Sequence, residues 1–232
     1  MEIKRYGEKE FLSADKLYIR ENEIHIWCIR WPEMTDFWKN HEYILSGQEL
    51  EQAGRFRFPE DRMRYIAGKV VVRILLKRYL DMETIDFSVN ELGKPYHKEI
   101  AGKQTVNFNI SHSGEFILEG FAVGMDIGVD VQEMAGCPDY REIAGNFYTA
   151  EEAEDVIKEG PELFFQYWAA KEAYVKAIGI GLGRGMDFFS VRNGEITEKG
   201  RKGQGWHLYP VKIEGYAAYV AAHKKGDKSN EL

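Results

Sequence analysis

The sequence contains two similar stretches, Pro59-Glu-Asp-Arg-Met-Arg-Tyr-Ile-Ala-Gly-Lys69 and, 102 residues later, Pro161-Glu-Leu-Phe-Phe-Gln-Tyr-Trp-Ala-Ala-Lys171. Both copies begin with Pro-Glu and then share a Tyr, an Ala and a Lys at matching positions. Extended without gaps to Val89 and Val191, the alignment holds nine identities in 31 positions, and the last three are a shared Phe-Ser-Val. Because an internal repeat fixes architecture, we expect two halves of similar topology.

Each copy is predicted to form a long helix, with proline in the first turn where its missing N–H is harmless. The helices are expected over Pro59–Leu80 and about Pro161–Ile178. Alternating apolar residues predict strands at Asn22–Ile29, Phe87–Asn90, Asn107–Ile110, Glu115–Val123, Val123–Val131, Phe188–Arg192, Trp206–Ile213 and Tyr216–His223. The expected fold class is therefore α+β. Residues 1–122 and 125–232 would be two similar halves about a pseudo-twofold axis, with a ligand cleft at their interface.

The second half carries the residue types that a Mg²⁺–diphosphate site needs. Asp130 and Gln132 share one face of a predicted strand, and Glu172 and Lys176 lie one turn apart on the predicted helix. Mg²⁺ takes one or two carboxylates plus phosphate and water, and lysine supplies compact positive charge for phosphoryl oxygens. The spacing of Glu172 and Lys176 also fits an ordinary surface ion pair, and Asp130 could equally be a strand-end residue. Spacing alone therefore leaves both interpretations open.

The composition of the chain limits which binding partners and which cellular compartment we expect. A net charge of −7 argues against a general nucleic-acid binder. The N-terminus lacks the apolar core of a signal peptide, and no apolar run reaches membrane-spanning length. Cys28 and Cys137 lack metal-ligand spacing and are expected to be free thiols in a reducing cytosol. We therefore expect a soluble, cytoplasmic monomer that binds neither nucleic acid nor membranes.

Basic residues cluster between Arg55 and Arg78. Three of them, ahead of or at the start of the helix, are candidates for phosphate contacts: Arg55, Arg57 and Arg64. For Arg73, Lys77 and Arg78 we prefer the simpler interpretation that these side chains lie on a solvent-exposed face of the helix.

Five motifs follow one another in the chain. They are Gly93-Lys94-Pro95, Phe108-Asn-Ile-Ser111-His112-Ser-Gly114, Ile127-Gly-Val-Asp130-Val-Gln132, Phe147-Tyr-Thr-Ala-Glu-Glu152 and Trp168-Ala-Ala-Lys-Glu172-Ala-Tyr-Val-Lys176. In this order the series resembles the 4′-phosphopantetheinyl transferases of the surfactin-synthetase-activating type, and the resemblance runs from about Arg55 to Val191.

The resemblance implies transfer of the 4′-phosphopantetheine arm of coenzyme A to a serine of an acyl or peptidyl carrier protein, with release of adenosine 3′,5′-bisphosphate. It implies Mg²⁺ as cofactor, held by Asp130 and Glu172, with Glu172 also taking the serine proton and Lys176 contacting a phosphate oxygen. Residues that would bind coenzyme A are Arg55, Arg64, Lys94, Pro95, Ser111, His112 and Lys176.

The chain also departs from the family pattern. Gln132 stands where a second acid is common, and its amide oxygen is a neutral and weaker metal ligand. Glu152 is a candidate to assist through a water. Asp126, in the earlier Gly-Met-Asp, is the rival to Asp130.

Two other functions stay open at this point. A non-catalytic module that binds coenzyme A or a carrier protein would explain Gln132. A different Mg²⁺-dependent phosphotransferase acting on a nucleotide diphosphate would share Asp130 and Glu172. Release of adenosine 3′,5′-bisphosphate separates the enzyme from the binding module, and the mass change on the acceptor separates the two enzymes.

Overall fold

The computed structural model describes residues 1–85, 87–89, 95–97, 105–181, 185–198, 201–203 and 205–224. By its internal contacts the chain divides into two compact units. The first comprises Met1–Ser88 and Tyr96–Val123, and the second comprises Val89–Pro95 and Gly124–Leu232. None of the helices in the described ranges is long and apolar enough to cross a membrane.

The chain up to Val123 contains four helices and six strands among its described residues. In chain order they are β1 (Glu2–Tyr6), α1 (Glu8–Ser13), β2 (Glu23–Arg30), α2 (Thr35–Asn40), α3 (Gly47–Gly54), α4 (Pro59–Leu80), β3 (Phe87–Val89), β4 (Pro95–His97), β5 (Val106–Ser113) and β6 (Phe116–Val123). The main sheet has the order β1-β2-β6-β5, with β1 parallel to β2 and the other pairs antiparallel. Burial of large apolar side chains, such as Trp27, Leu75 and Phe121, supplies the core between α4 and this sheet.

From Met125 onward the described chain adds three helices and six strands. They are β7 (Met125–Glu133), α5 (Tyr140–Phe147), α6 (Ala150–Glu159), α7 (Pro161–Ile178), β8 (Phe189–Ser190), β9 (Thr197–Glu198), β10 (Arg201–Lys202), β11 (Trp206–Pro210) and β12 (Tyr216–Lys224). An antiparallel sheet of order β11-β12-β7 packs against α7. A second small sheet has the order β10-β9-β8.

The two units share one topology, as the sequence repeat predicts. In the first unit β2 is followed by α4, β5 and β6, and the sheet order is β2-β6-β5. In the second, β7 is followed by α7, β11 and β12, and the sheet order is β7-β12-β11. The α+β class is confirmed, and both long helices have the predicted bounds. Each begins with proline and is followed by a capping residue with positive φ, Asp81 at 52° or Gly179 at 74°.

Several sequence-based boundaries are wrong. The strand expected over Val123–Val131 is interrupted at Gly124, whose φ of +65° favours glycine. The strand expected to reach Ile213 ends at Pro210, and after it only the amide of Val211 still donates to β12, at the carbonyl of Ala218, before the turn at Ile213–Tyr216 among the described hydrogen bonds. Pairing of β8 covers only two residues, and a short 3₁₀ turn at Arg192–Gly194 follows it.

Arg73 does not lie on a solvated face. Its side chain is buried and contacts Glu49 of α3 and the carbonyl of Ile85. Arg78 is half-buried and donates to the carbonyl of Phe11. The solvated-face interpretation is wrong for both residues, because α4 has neighbours on several sides.

Candidate functional site

In the second unit, α7 lies directly against β7 at Gly128. A Cβ placed on Gly128 would lie 2.1 Å from the carbonyl oxygen of Ala173 and 2.4 Å from the amide nitrogen of Ala177. Only a residue without a side chain permits this separation of helix and strand. The approach places Asp130, two residues further along β7, beside the turn of α7 that carries Glu172 and Lys176.

Asp130 is 1% exposed and is the centre of this group. The ammonium of Lys176 lies 2.6 Å from its Oδ1 atom. The amide nitrogen of Gln132 donates to its Oδ2 atom at 3.0 Å. The structure therefore brings together three of the candidate residues, Asp130, Gln132 and Lys176. The contact between Lys176 and Asp130 joins α7 to β7, whereas spacing alone also allowed an ion pair confined to the helix surface.

Glu172, one turn before Lys176 on α7, is the second carboxylate of the group. Its side chain is buried, and its Oε1 atom has no hydrogen-bond partner among the described residues. Burial, and after it the negative charge of Asp130, raises the pKa of Glu172 to about 7, while the charge of Lys176 opposes this rise. A buried carboxylate oxygen without a partner is costly, and a bound cation would relieve that cost.

The donor set fits Mg²⁺. Two carboxylates with phosphate and water as the remaining ligands are a common arrangement for this ion. In the described ranges, no group of three or more His, Cys, Asp or Glu side chains could hold a metal ion. A site here would therefore depend on Asp130 and Glu172. The nitrogen of the Gln132 amide faces Asp130, so metal coordination by Gln132 requires the amide to turn and present its oxygen.

Two further candidate residues, Asp126 and Glu152, have surroundings that differ from those of Asp130. Asp126, on β7 four residues before Asp130, is half-buried and lies opposite His223 of β12 in the register.

Glu152 is fully buried, and both of its carboxylate oxygens accept hydrogen bonds from protein groups, among them Lys171 and the amide of Val191. These bonds give Glu152 a structural part that the sequence reasoning missed. The signal was present, because Thr149-x-x-Glu152 is a capping-box pattern.

The first unit places several predicted coenzyme-binding residues near one turn. Arg64 of α4 donates through Nη1 to the carbonyl of Gly114, in the turn between β5 and β6, at 3.1 Å. Arg64 also contacts Asp61, and its buried Nε atom has no hydrogen-bond partner in the part of the chain described. Ser111 and His112 come just before this turn on β5. Ser111 is buried and His112 is exposed, as expected for neighbours on a strand.

The remaining candidates are less informative. Arg55 is exposed at the end of α3 and pairs with Glu51 at 2.7 Å. Pro95 is the first residue of β4 and is half-buried. Lys94 lies outside the described residues.

Comparison with known proteins identifies the family. Residues 126–222 match the sequence profile of the 4′-phosphopantetheinyl transferase superfamily, and residues 29–120 match that of the N-terminal region of 4′-phosphopantetheinyl transferases. The chain is 31% identical to the 4′-phosphopantetheinyl transferase HetI of Nostoc sp. over 175 residues, which are 72% of this chain and 73% of that protein. It is 34% identical to the 4′-phosphopantetheinyl transferase Sfp of Bacillus subtilis over 155 residues, 64% of this chain and 66% of that protein.

The matches extend over most, but not all, of these relatives. A Synechocystis relative is matched over 62% of its length at 34% identity. The two profiles together cover both units of this chain, and the relatives that match it include Sfp and HetI. The chain therefore belongs to the 4′-phosphopantetheinyl transferase family, and within it to the Sfp type.

Proposed function

We propose that this protein transfers the 4′-phosphopantetheine group of coenzyme A to a serine hydroxyl of an acyl or peptidyl carrier protein. The observation that carries the proposal is the group formed by Asp130, Glu172 and Lys176, in a chain of this family. The ammonium of Lys176 contacts Asp130, Glu172 interacts electrostatically with both, and among the described residues Oε1 of Glu172 has no hydrogen-bond partner. Such a group suits a diphosphate with its divalent cation.

In the proposed reaction the serine oxygen attacks the phosphorus that carries the pantetheine arm. The bond between that phosphorus and the bridging oxygen breaks, and adenosine 3′,5′-bisphosphate leaves with the electron pair. Phosphoryl transfer of this kind is catalysed mainly by positioning and by neutralisation of charge. Bound Mg²⁺, held by Asp130 and Glu172, would supply a Lewis acid for the diphosphate oxygens.

The residues of the chain supply the other requirements. Lys176, which holds Asp130 in this structure, would contact a phosphate oxygen of the substrate. Glu172 would take the serine proton, directly or through a metal-bound water, since a carboxylate is a suitable general base for a hydroxyl. Arg64, Ser111 and His112 would contact the 3′-phosphate, with Arg55 as a further cation and with Lys94 and Pro95 along the adenine.

The proposal also covers the cellular compartment and the oligomeric state. Both cysteines are free, as in a reducing compartment, and we propose a cytoplasmic monomer. Gln132 would be a neutral, weak ligand of the metal, and Asp126 and Glu152 would have no direct part in the chemistry.

Intact-mass spectrometry of an apo carrier protein, incubated with coenzyme A, Mg²⁺ and this protein, tests the proposal. We expect the carrier to gain the mass of one phosphopantetheine group and adenosine 3′,5′-bisphosphate to appear in equal amount. Binding of coenzyme A without release of the bisphosphate would instead indicate a non-catalytic binding module. A different mass increment on the acceptor would indicate another phosphotransferase.

A further inference from the structure

The ammonium of Lys171 is fully buried and has three acceptors. Its Nζ atom lies 2.7 Å from Oε2 of Glu152, 2.8 Å from the carbonyl oxygen of Met186 and 2.5 Å from that of Phe189. Burial lowers the pKa of Lys171, and the negative charge of Glu152 opposes this effect. A buried charge persists only when it is paired and hydrogen-bonded. These contacts tie α7 to the chain that leads into β8.

Glu152 extends the same connection to α6. Thr149 and Glu152 form a capping box, in which the amide of Thr149 donates to Oε2 of Glu152 at 3.1 Å. The other carboxylate oxygen accepts from the amide of Val191 at 2.7 Å. One carboxylate therefore joins the start of α6, the middle of α7 and residues 186–191. We call Glu152 and Lys171 the second-unit clamp.

The first unit contains a matching construction. Ser46 and Glu49 form the capping box of α3, and Glu49 pairs with Arg73 of α4 at 2.6 Å. Arg73 also donates to the carbonyl of Ile85, just before β3, at 2.6 Å. We call Glu49 and Arg73 the first-unit clamp. In both units a capping-box glutamate binds a cation of the long helix, and that cation binds a carbonyl of the chain near the following strand.

The two clamps differ in what lies beside them. With the 102-residue shift, the first-unit positions that match Asp130, Glu172 and Lys176 hold Cys28, Val70 and Ile74. The long helix that the first-unit clamp holds therefore carries no metal-site side chains at the matching positions. In the second unit, Lys171 directly precedes Glu172 on α7.

This adjacency couples the clamp to the candidate site. Side chains of a helix extend about 5 Å from its axis, so a rotation of about 10° moves a side chain by about 1 Å. A misplacement of that size in a reacting group can cost about 100-fold in rate. Contacts that prevent α7 from rotating therefore control where the carboxylate of Glu172 lies.

We propose that Lys171 and Glu152 are positioning residues, which fix the rotation of α7 so that Glu172 stays beside Asp130. The proposal rests on the proposed function, since it concerns the same site. Neither residue needs to touch the substrate. The first-unit clamp, which has the same components, provides a matched control.

The test compares Lys171→Met/Glu152→Leu with Arg73→Met/Glu49→Leu. Each double variant removes both charges of one clamp, so that no lone charge stays buried. Thermal unfolding gives the stability of each, isothermal titration gives the affinity for Mg²⁺ without carrier protein, and initial rates give the Mg²⁺ dependence of transfer. Loss of groups that orient metal ligands typically weakens metal binding about 10- to 100-fold.

We expect both double variants to lose thermal stability, but only the second-unit variant to lose Mg²⁺ affinity, by about tenfold or more. Its transfer rate at saturating Mg²⁺ should also fall by about 100-fold, and exchange of the Val191 amide hydrogen should speed up. Equal loss of Mg²⁺ affinity in the two double variants, or a wild-type affinity and rate in the second-unit variant, would overturn the proposal.

A milder pair covers the case in which the double variants do not fold. Lys171→Gln/Glu152→Gln keeps polar side chains of similar size and removes both charges, and Arg73→Gln/Glu49→Gln is its counterpart. The same difference between the units is expected with smaller shifts, and equal effects would again contradict the positioning role. A wild-type protein that leaves carrier proteins unmodified would contradict the proposed function instead. The two failures are therefore distinguishable.

Discussion

The Nζ atom of Lys176 lies 2.6 Å from the Oδ1 atom of Asp130, which joins the middle of α7 to the middle of β7. Asp130 is almost fully buried, whereas the Lys176 side chain is 29% exposed. The ammonium therefore neutralises a buried carboxylate from the solvent side. A diphosphate that approached with its cation would meet both groups together.

Removal of Lys176 should affect metal binding and transfer in opposite directions. In Lys176→Met, Asp130 loses the ammonium that competes with a cation, so Mg²⁺ should bind more tightly in the absence of coenzyme A. Transfer should fall by about 100-fold, since a group that stabilises phosphate charge is missing. Isothermal titration and initial rates measure the two effects. Lys158→Met, at an exposed lysine of α6, should change neither. Weaker Mg²⁺ binding in Lys176→Met would contradict this account of the pair.

Gln132→Glu tests whether residue 132 coordinates the metal. A carboxylate is a stronger ligand for Mg²⁺ than an amide, so the Mg²⁺ concentration for half-maximal transfer should fall. Gln132→Ala should be tolerated better than a substitution of Asp130. The measurement is the rate of transfer over a Mg²⁺ titration. If both variants give the wild-type titration curve, residue 132 does not coordinate the metal.

Gly128→Ala should damage both stability and transfer. The added methyl would meet the backbone of α7 at Ala173 and Ala177, neither of which can rotate away. Overpacking of this kind costs about 1–3 kcal/mol, and displacement of α7 would also move Glu172. Denaturant unfolding and transfer assays check the two parts. Gly145→Ala in α5 is the control, because its Cβ meets nothing within 4 Å and alanine favours a helix.

Glu119 should make the free energy of unfolding depend on pH. It lies at the centre of β6, fully buried, and neither carboxylate oxygen has a hydrogen-bond partner among the residues described. Burial raises the pKa of Glu119 well above its ordinary value, and the positive charge of Lys69 opposes this rise. The folded protein therefore keeps a proton that the unfolded chain releases above pH ~4.3. Stability from this residue should be present below that pH and be lost as the pH rises towards the folded-state pKa.

Glu119→Met should remove this dependence and stabilise the protein, by about 1–3 kcal/mol at neutral pH. Urea unfolding at several pH values measures the effect, and Glu21→Gln at an exposed position is the control. A difference between wild type and Glu119→Met that does not grow with pH would contradict the raised pKa.

Local signals predicted the long elements well. Proline in the first turn marked the start of α4 and α7, and the repeat predicted the common topology of the two units. Strand and helix periodicity placed Asp130 with Gln132 and Glu172 with Lys176 on common faces, but the ion pair of Asp130 and Lys176 joins two elements and was not predicted.

Features that depend on distant neighbours were missed. The burial of Arg73 depends on α3 and on the chain before β3, neither of which the helix pattern includes. The clamp of Glu152 and Lys171 joins three segments, so the sequence showed only its capping box. Glu119 is a charged residue in an apolar strand, and its burial follows from its place in the middle of the sheet, opposite Trp27 and Ile110.

The most direct test of the central claim compares wild type, Asp130→Asn, Glu172→Gln and Asp126→Asn by intact mass of an apo carrier protein with coenzyme A and Mg²⁺. Both Asp130→Asn and Glu172→Gln keep side-chain shape but remove a charged ligand. We expect wild type and Asp126→Asn to convert the carrier to its phosphopantetheinylated form, and the other two variants to leave it unmodified. Full conversion by Asp130→Asn, or loss of conversion only in Asp126→Asn, would contradict the assignment of the site to Asp130 and Glu172.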